Sequence, residues 1–154
     1  MCQRQQTEKI ETLQKRCIRN ISLKSSNAHT EPLFKMHNIL KFKDKISHSR
    51  AIFMHKYRHN KLPKSFSGIF TDTTMTDNMQ SRHNDYNYHN FPANRKCLES
   101  FPYKQIIFNW NRLSLEIKAT ADAIEFDDML RRKYLSQYSY ETDCPDDCFN
   151  CNKC

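Results

Sequence analysis

One glycine, Gly68, in 154 residues limits more than anything else how this chain can turn. Helix ends and tight turns often need a residue at positive φ, and glycine takes that conformation without a Cβ penalty. Asparagine is the next best residue there, and the chain is rich in it. A glycine-rich phosphate loop is excluded outright, because the second glycine it needs does not exist.

The core has little to draw on. Valine is absent, and leucine, isoleucine and phenylalanine together make up about a fifth of the chain, a level at which ordered and disordered chains meet. Large aromatic rings partly compensate, since each buries more surface than an aliphatic side chain. The expectation is a modest core in a mostly α, small helical domain.

Charge is unevenly placed. Residues 1 to 64 carry fifteen Lys/Arg against four Asp/Glu, and residues 65 to 154 carry ten against thirteen. A basic half of this kind suits a polyanion, most often RNA or DNA. A solvated helical surface with no partner is the other reading. The opening residues "MCQRQQTEKIETLQK" lack an apolar stretch, and the longest apolar run, Ala51 to Met54, is far short of the ~20 residues a span needs. The expectation is an intracellular protein, nuclear or cytoplasmic, with no membrane partner and reduced thiols.

Periodicity predicts a helix over 3–22 with Ile10, Leu13, Cys17, Ile18 and Ile21 on one stripe. Thr30 is expected to cap a second helix with Pro32 in its first turn, and Asp44 a third that runs to about His59 with Ile46, Phe53 and Tyr57 facing inward. Asn60 and Pro63 end it. Phe66, Ile69 and Phe70 suggest one more turn. The division expected is a basic helical half (1–70), a polar loop (71–85), a C-terminal half (86–140) with a minor β element around 86–108, and a Cys-rich tail (141–154). Asp122 and Glu125 form a capping box for a final helix whose buried face is Phe126, Met129, Leu130, Tyr134 and Tyr138. Along it, Asp127–Arg131 and Asp128–Arg132 are spaced as i,i+4 ion pairs.

Few of these residues suggest chemistry. "FDDM" (Phe126–Met129) has two aspartates like a polymerase box, but it sits on a capped helix with an arginine one turn after each. His55 and His59 have zinc-pair spacing, yet Lys56 and Arg58 between them oppose a dication. No serine, cysteine or histidine stands in a nucleophile motif, so no catalytic residue is assigned. The tail "CPDDCFNCNKC" places Cys144, Cys148, Cys151 and Cys154 at C-x3-C-x2-C-x2-C spacing. Four thiolates satisfy tetrahedral zinc, although structural sites usually separate two C-x2-C steps by a hairpin. An unmetallated reduced tail stays open beside the zinc reading.

Five segments in order carry a resemblance. "IETLQKRCIRNI" (Ile10–Ile21), "AHTEPLFKMHNILKFKDKI" (Ala28–Ile46), "FMHKYRHNKLP" (Phe53–Pro63), "SRHNDYNYHNFPANRK" and "IIFNWNRLSLEIKATADAIEFDDMLRRKYLSQY" resemble the region after the polymerase domain of non-LTR (LINE-type, jockey-like) retrotransposon reverse transcriptases. Ser114 stands where that family usually has proline, the glycine expected shortly before Trp110 is absent, and the catalytic palm is not in this chain. The resemblance implies a truncated or decayed element product without polymerase chemistry, whose partners are RNA or DNA and a polymerase domain. It implies phosphate contacts at Lys15, Arg16, Arg19, Lys41, Lys43, Lys45, Lys56, Arg58, Lys61 and Lys64. Trp110 is read as a core anchor in preference to a base-stacking residue.

Overall fold

Three helices end in the left-handed conformation that glycine would ordinarily supply. The computed structural model describes residues 2–71, 86–89 and 102–138. Six α-helices lie there: α1 (Cys2–Ile21), α2 (Thr30–Met36), α3 (Phe42–Arg58), α4 (Pro102–Asn111), α5 (Leu115–Ala119) and α6 (Ala123–Ser136), with a 3₁₀ turn at Lys64–Phe66. After α1, α2 and α3 the chain turns at Leu23, Asn38 and Asn60, with φ of 53°, 55° and 52°. Each turn has the same paired hydrogen bonds. The N–H groups of Lys24, Ile39 and Lys61 reach back to Arg19, Phe34 and Lys56, and those of Leu23, Asn38 and Asn60 reach Asn20, Lys35 and Tyr57. This is the Schellman pattern, which satisfies the last carbonyls of a helix. Gly68, at φ 75°, serves a loop instead.

The mostly α fold expected from the sequence is the fold observed. The β element expected around 86–108 is not a strand among the described residues. Pro102–Phe108 belong to α4, because Tyr103, Ile106, Ile107 and Trp110 repeat at helical spacing and Pro102 is tolerated at the first helical position. At 86–89 the backbone is held by side chains. Trp110 Nε1 donates to the Tyr86 carbonyl at 2.7 Å, while the Asn111 amide accepts from Tyr88 N–H at 3.1 Å and donates to its carbonyl at 2.9 Å. His89 N–H also donates to the Thr71 carbonyl at 2.9 Å. Residues 90–101 lie outside the described residues.

The chain packs as two units, Met1–Ile46 with Arg131–Cys154 and Ser47–Leu130. These limits differ from the halves expected at 1–70 and 86–140, because α3 and α6 each supply residues to both units. In the first unit Ile18, Leu33, Phe34 and Tyr138 form the core, with Leu135 against them. The Gln14 amide donates to the Leu40 carbonyl and accepts from Phe42 N–H, both at 2.8 Å. The Tyr138 hydroxyl donates to Asp44 Oδ2 at 2.6 Å and accepts from Lys41 N–H at 2.9 Å. Burial, then the Asp44 carboxylate, raises this phenol above its ordinary pKa. Asp44 therefore lies within the first turn of α3 as Tyr138's partner and is not its N-cap. Thr30 is likewise the first residue of α2, with His29 at the cap. The α1 stripe is corrected too: Ile18 is buried, but Ile10, Leu13, Cys17 and Ile21 are exposed.

In the second unit Trp110 is fully buried beside Phe126, the core role expected of it. Helix α3 buries His48, Ala51, Met54 and His55, whereas Ile46, Phe53 and Tyr57 are only partly covered. The Asp122 cap forms as expected, accepting from Glu125 N–H at 2.9 Å and Ile124 N–H at 3.1 Å. Those bonds, Glu125 first, hold its carboxyl below the ordinary carboxylate pKa. Asp127 turns to His48 Nε2 at 3.1 Å instead of Arg131, which donates to the Asn38 carbonyl in the first unit.

A left-handed leucine costs about 1 kcal/mol or more relative to glycine. Leu23 is exposed, so Leu23→Gly should raise unfolding stability by about 1 kcal/mol, after allowing for glycine's freer unfolded chain. Denaturant titration checks this, and Asn60→Gly should change little by comparison.

Candidate nucleic-acid interface

The ten basic residues singled out by the resemblance divide between the two units. Lys15, Arg16, Arg19, Lys41, Lys43 and Lys45 fall in the first, and Lys56, Arg58, Lys61 and Lys64 in the second. Their surroundings differ in kind.

Acids and bases interleave in the first unit. A cleft of about 410 Å³ is lined by Lys15, Lys41 and Lys43 together with Glu11, Glu31 and Asp44. Lys41 pairs with Glu31 and lies over the Tyr138 ring, 4.5 Å from its centroid. Lys43 pairs with Glu11 at 3.0 Å. The Arg19 Nε–H donates to the Ala28 carbonyl at 2.8 Å. Arg16 and Lys45 are exposed. A phosphate entering this cleft would meet three carboxylates as well as three ammonium groups, so it gains little net attraction.

No aspartate or glutamate occurs from Lys45 to Phe70. Lys45, Arg50, Lys56, Arg58, Lys61 and Lys64 fall in that stretch, most of it in the second unit. Lys56, Lys61 and Lys64 are exposed. The Arg58 guanidinium stacks over the Tyr86 ring, 4.3 Å from its centroid. The Schellman turn at Asn60 brings the chain back, and the 3₁₀ turn at Lys64–Phe66 then folds it beside the end of α3. Between them lies a second cleft of about 240 Å³, lined by Tyr57, Asn60, Leu62, Pro63, Lys64, Phe66 and Ser67. Among the described residues that line it, the charged one is Lys64.

Aromatic packing fixes this region. The Tyr57 hydroxyl accepts from Phe70 N–H at 3.2 Å and donates to its carbonyl at 3.3 Å. The Tyr57 ring meets Phe70 edge-on at 4.8 Å, and Phe53 meets Phe66 edge-on at 5.6 Å. Tyr103 stacks on Phe70 at 4.8 Å. Sequence reading named the lysines but missed the cleft. The absence of acids over Lys45–Phe70 was the available signal for it.

Two buried basic side chains near the core were also missed. Lys118 is buried and donates to Asn87 Oδ1 at 2.8 Å and to the Asn111 carbonyl at 3.1 Å, at the end of α4. There the ammonium answers the negative end of a helix. His48 is buried against Asp127.

His55 and His59 sit with ring centroids 4.4 Å apart. His55 bonds through Nε2 to the Thr120 carbonyl at 2.9 Å and stacks on Phe126 at 4.2 Å. No group of three His, Cys, Asp or Glu side chains fit for a metal occurs among the described residues. Cys144, Cys148, Cys151 and Cys154, the expected zinc ligands, lie outside those residues. No described helix is long and apolar enough to cross a membrane. No protein-family model matches the chain, and no curated protein or solved structure matches it either.

Burial lowers the His55 pKa below its ordinary value of 6.5, with the His59 and Lys61 charges adding to the effect against the Thr120 bond and Asp122. The unfolded chain therefore takes up this proton first as pH falls. The His55 contribution to stability is complete above about 6.5 and is lost below it, towards the lower folded pKa. His55→Phe should keep the stacking, lose about 1 kcal/mol at pH 8 with the Thr120 hydrogen bond, and show a shallower loss between pH 7 and 5. Denaturant titrations across that range measure both effects.

Proposed function

We propose that this chain is a non-catalytic nucleic-acid-binding protein, resembling the post-polymerase region of a retrotransposon reverse transcriptase, and that its contact surface lies in the second unit, on the segment Ser47–Phe70, whose sequence holds no acid. The observation that carries this reading is the difference between the two sets of lysines. Lys56, Lys61 and Lys64 are exposed, Lys64 lines a cleft with Tyr57 and Phe66, and the charge of Asp122 reaches Lys61, while Lys41 and Lys43 are paired directly with Glu31 and Glu11.

Each lysine that neutralises a phosphate releases condensed counterions, so affinity falls steeply with salt. The triple substitution Lys56→Gln, Lys61→Gln, Lys64→Gln should weaken binding to a single-stranded oligonucleotide at least tenfold at 100 mM salt and reduce the slope of log K against log salt by about 2. Lys41→Gln with Lys43→Gln should alter the slope by less than about 0.5. Anisotropy titrations at several salt concentrations measure both. Binding that does not vary with salt would remove the proposal.

A second reading rests on α1. Its exposed stripe of Ile10, Leu13, Cys17 and Ile21 suits a protein partner such as a polymerase domain, with Ile18 reserved for this chain's own core. Leu13→Lys should then abolish pull-down of a polymerase fragment and leave oligonucleotide affinity unchanged.

A further inference from the structure

We infer that the cleft at the end of α3 receives the base of an unpaired nucleotide, so that the chain selects single-stranded over duplex nucleic acid. The inference rests on the nucleic-acid reading above and specifies what its surface recognises. Phosphate attraction alone needs lysines and no cleft. Here the cleft is lined by two aromatic residues, Tyr57 and Phe66, and by Pro63, with Lys64 as a charged lining residue. Rings and a proline offer flat apolar faces to a base. Bases in a duplex have their faces stacked on one another and show only their edges, so only an unpaired base can use such walls.

The polar lining is also apt. Asn60 carries an amide that both donates and accepts, and Ser67 a hydroxyl that does the same, so either can meet a base edge without demanding one sequence. The walls are set before a ligand arrives. The Tyr57 hydroxyl is held by both backbone groups of Phe70. Phe66 N–H donates to the Pro63 carbonyl at 3.0 Å, and Ser67 N–H to the Lys64 carbonyl at 3.0 Å. Phe66 remains 36% exposed, so part of its ring is available for contact. The exposed Lys61 adjoins Asn60 and Leu62 in sequence and supplies a phosphate partner beside the cleft. Tight, sequence-tolerant binding to single strands uses this combination of cationic groups and stacking rings.

The test uses the full chain with four labelled probes of equal length: a uridine RNA strand, a thymidine DNA strand, a DNA duplex, and a DNA strand in which most positions are abasic. The intact single strands should bind at least tenfold more tightly than the duplex, and the abasic strand at least fivefold more weakly than its intact counterpart. Phe66→Leu should lower single-strand affinity at least fivefold and leave the duplex affinity and the salt slope unchanged. Equal affinity for intact and abasic strands overturns the base cleft while leaving the charge-based reading in place. No salt-sensitive binding to any probe overturns both. The abasic comparison needs no variant, so it decides the matter even if Phe66→Leu fails to fold. RNA against DNA reports whether a 2′-hydroxyl contributes.

Discussion

Helix ends in this chain must turn without glycine, and much of the architecture follows from how they do so. Leu23, Asn38 and Asn60 take the left-handed position in three like turns. Asparagine bears that conformation with little strain and exposed leucine bears it at a cost. The turn at Asn60 also places Lys61, Leu62 and Pro63 back beside α3, and so creates the wall of the second cleft. One conformational necessity thus links the ending of a helix to the shape of the surface we assign to binding.

Side-chain amides perform a second structural task. Gln14 engages the backbone at Leu40 and Phe42, and Asn111 engages both backbone groups of Tyr88. Each grips an extended segment as a neighbouring strand would, with one donor and one acceptor. That is why "YNYH" (Tyr86–His89) reads as a strand and yet has side-chain partners on its backbone. With no valine and few aliphatics, cores this small depend on such directed bonds and on buried rings such as Trp110, Phe34 and Phe126.

Much of the helical plan was legible in the sequence, and the misses have physical causes. The Asp122 cap, the final helix and the burial of Trp110 follow from local patterns that packing respects. The buried face of α3 differs from the Ile46, Phe53 and Tyr57 face that hydrophobicity suggests, because His48 and His55 look polar but are accommodated by Asp127, Phe126 and Thr120. The stripe of α1 was expected to be covered, yet covering is a tertiary matter and only Ile18 reaches the core. Among the ten basic candidates the pattern could not show that Lys41 and Lys43 are paired, since Glu31 and Glu11 approach them only through the fold.

The central claim is that binding belongs to the segment ending α3 and not to the basic half as a whole. Backbone amide chemical shifts, followed as a single-stranded oligonucleotide is added to the isotope-labelled chain, test it most directly. The account predicts that the largest changes fall on Lys56, Asn60, Lys61, Lys64, Phe66 and Ser67, with Lys41 and Lys43 nearly still. Changes concentrated instead on Lys15, Arg16, Lys41 and Lys43, or none at all, would contradict it.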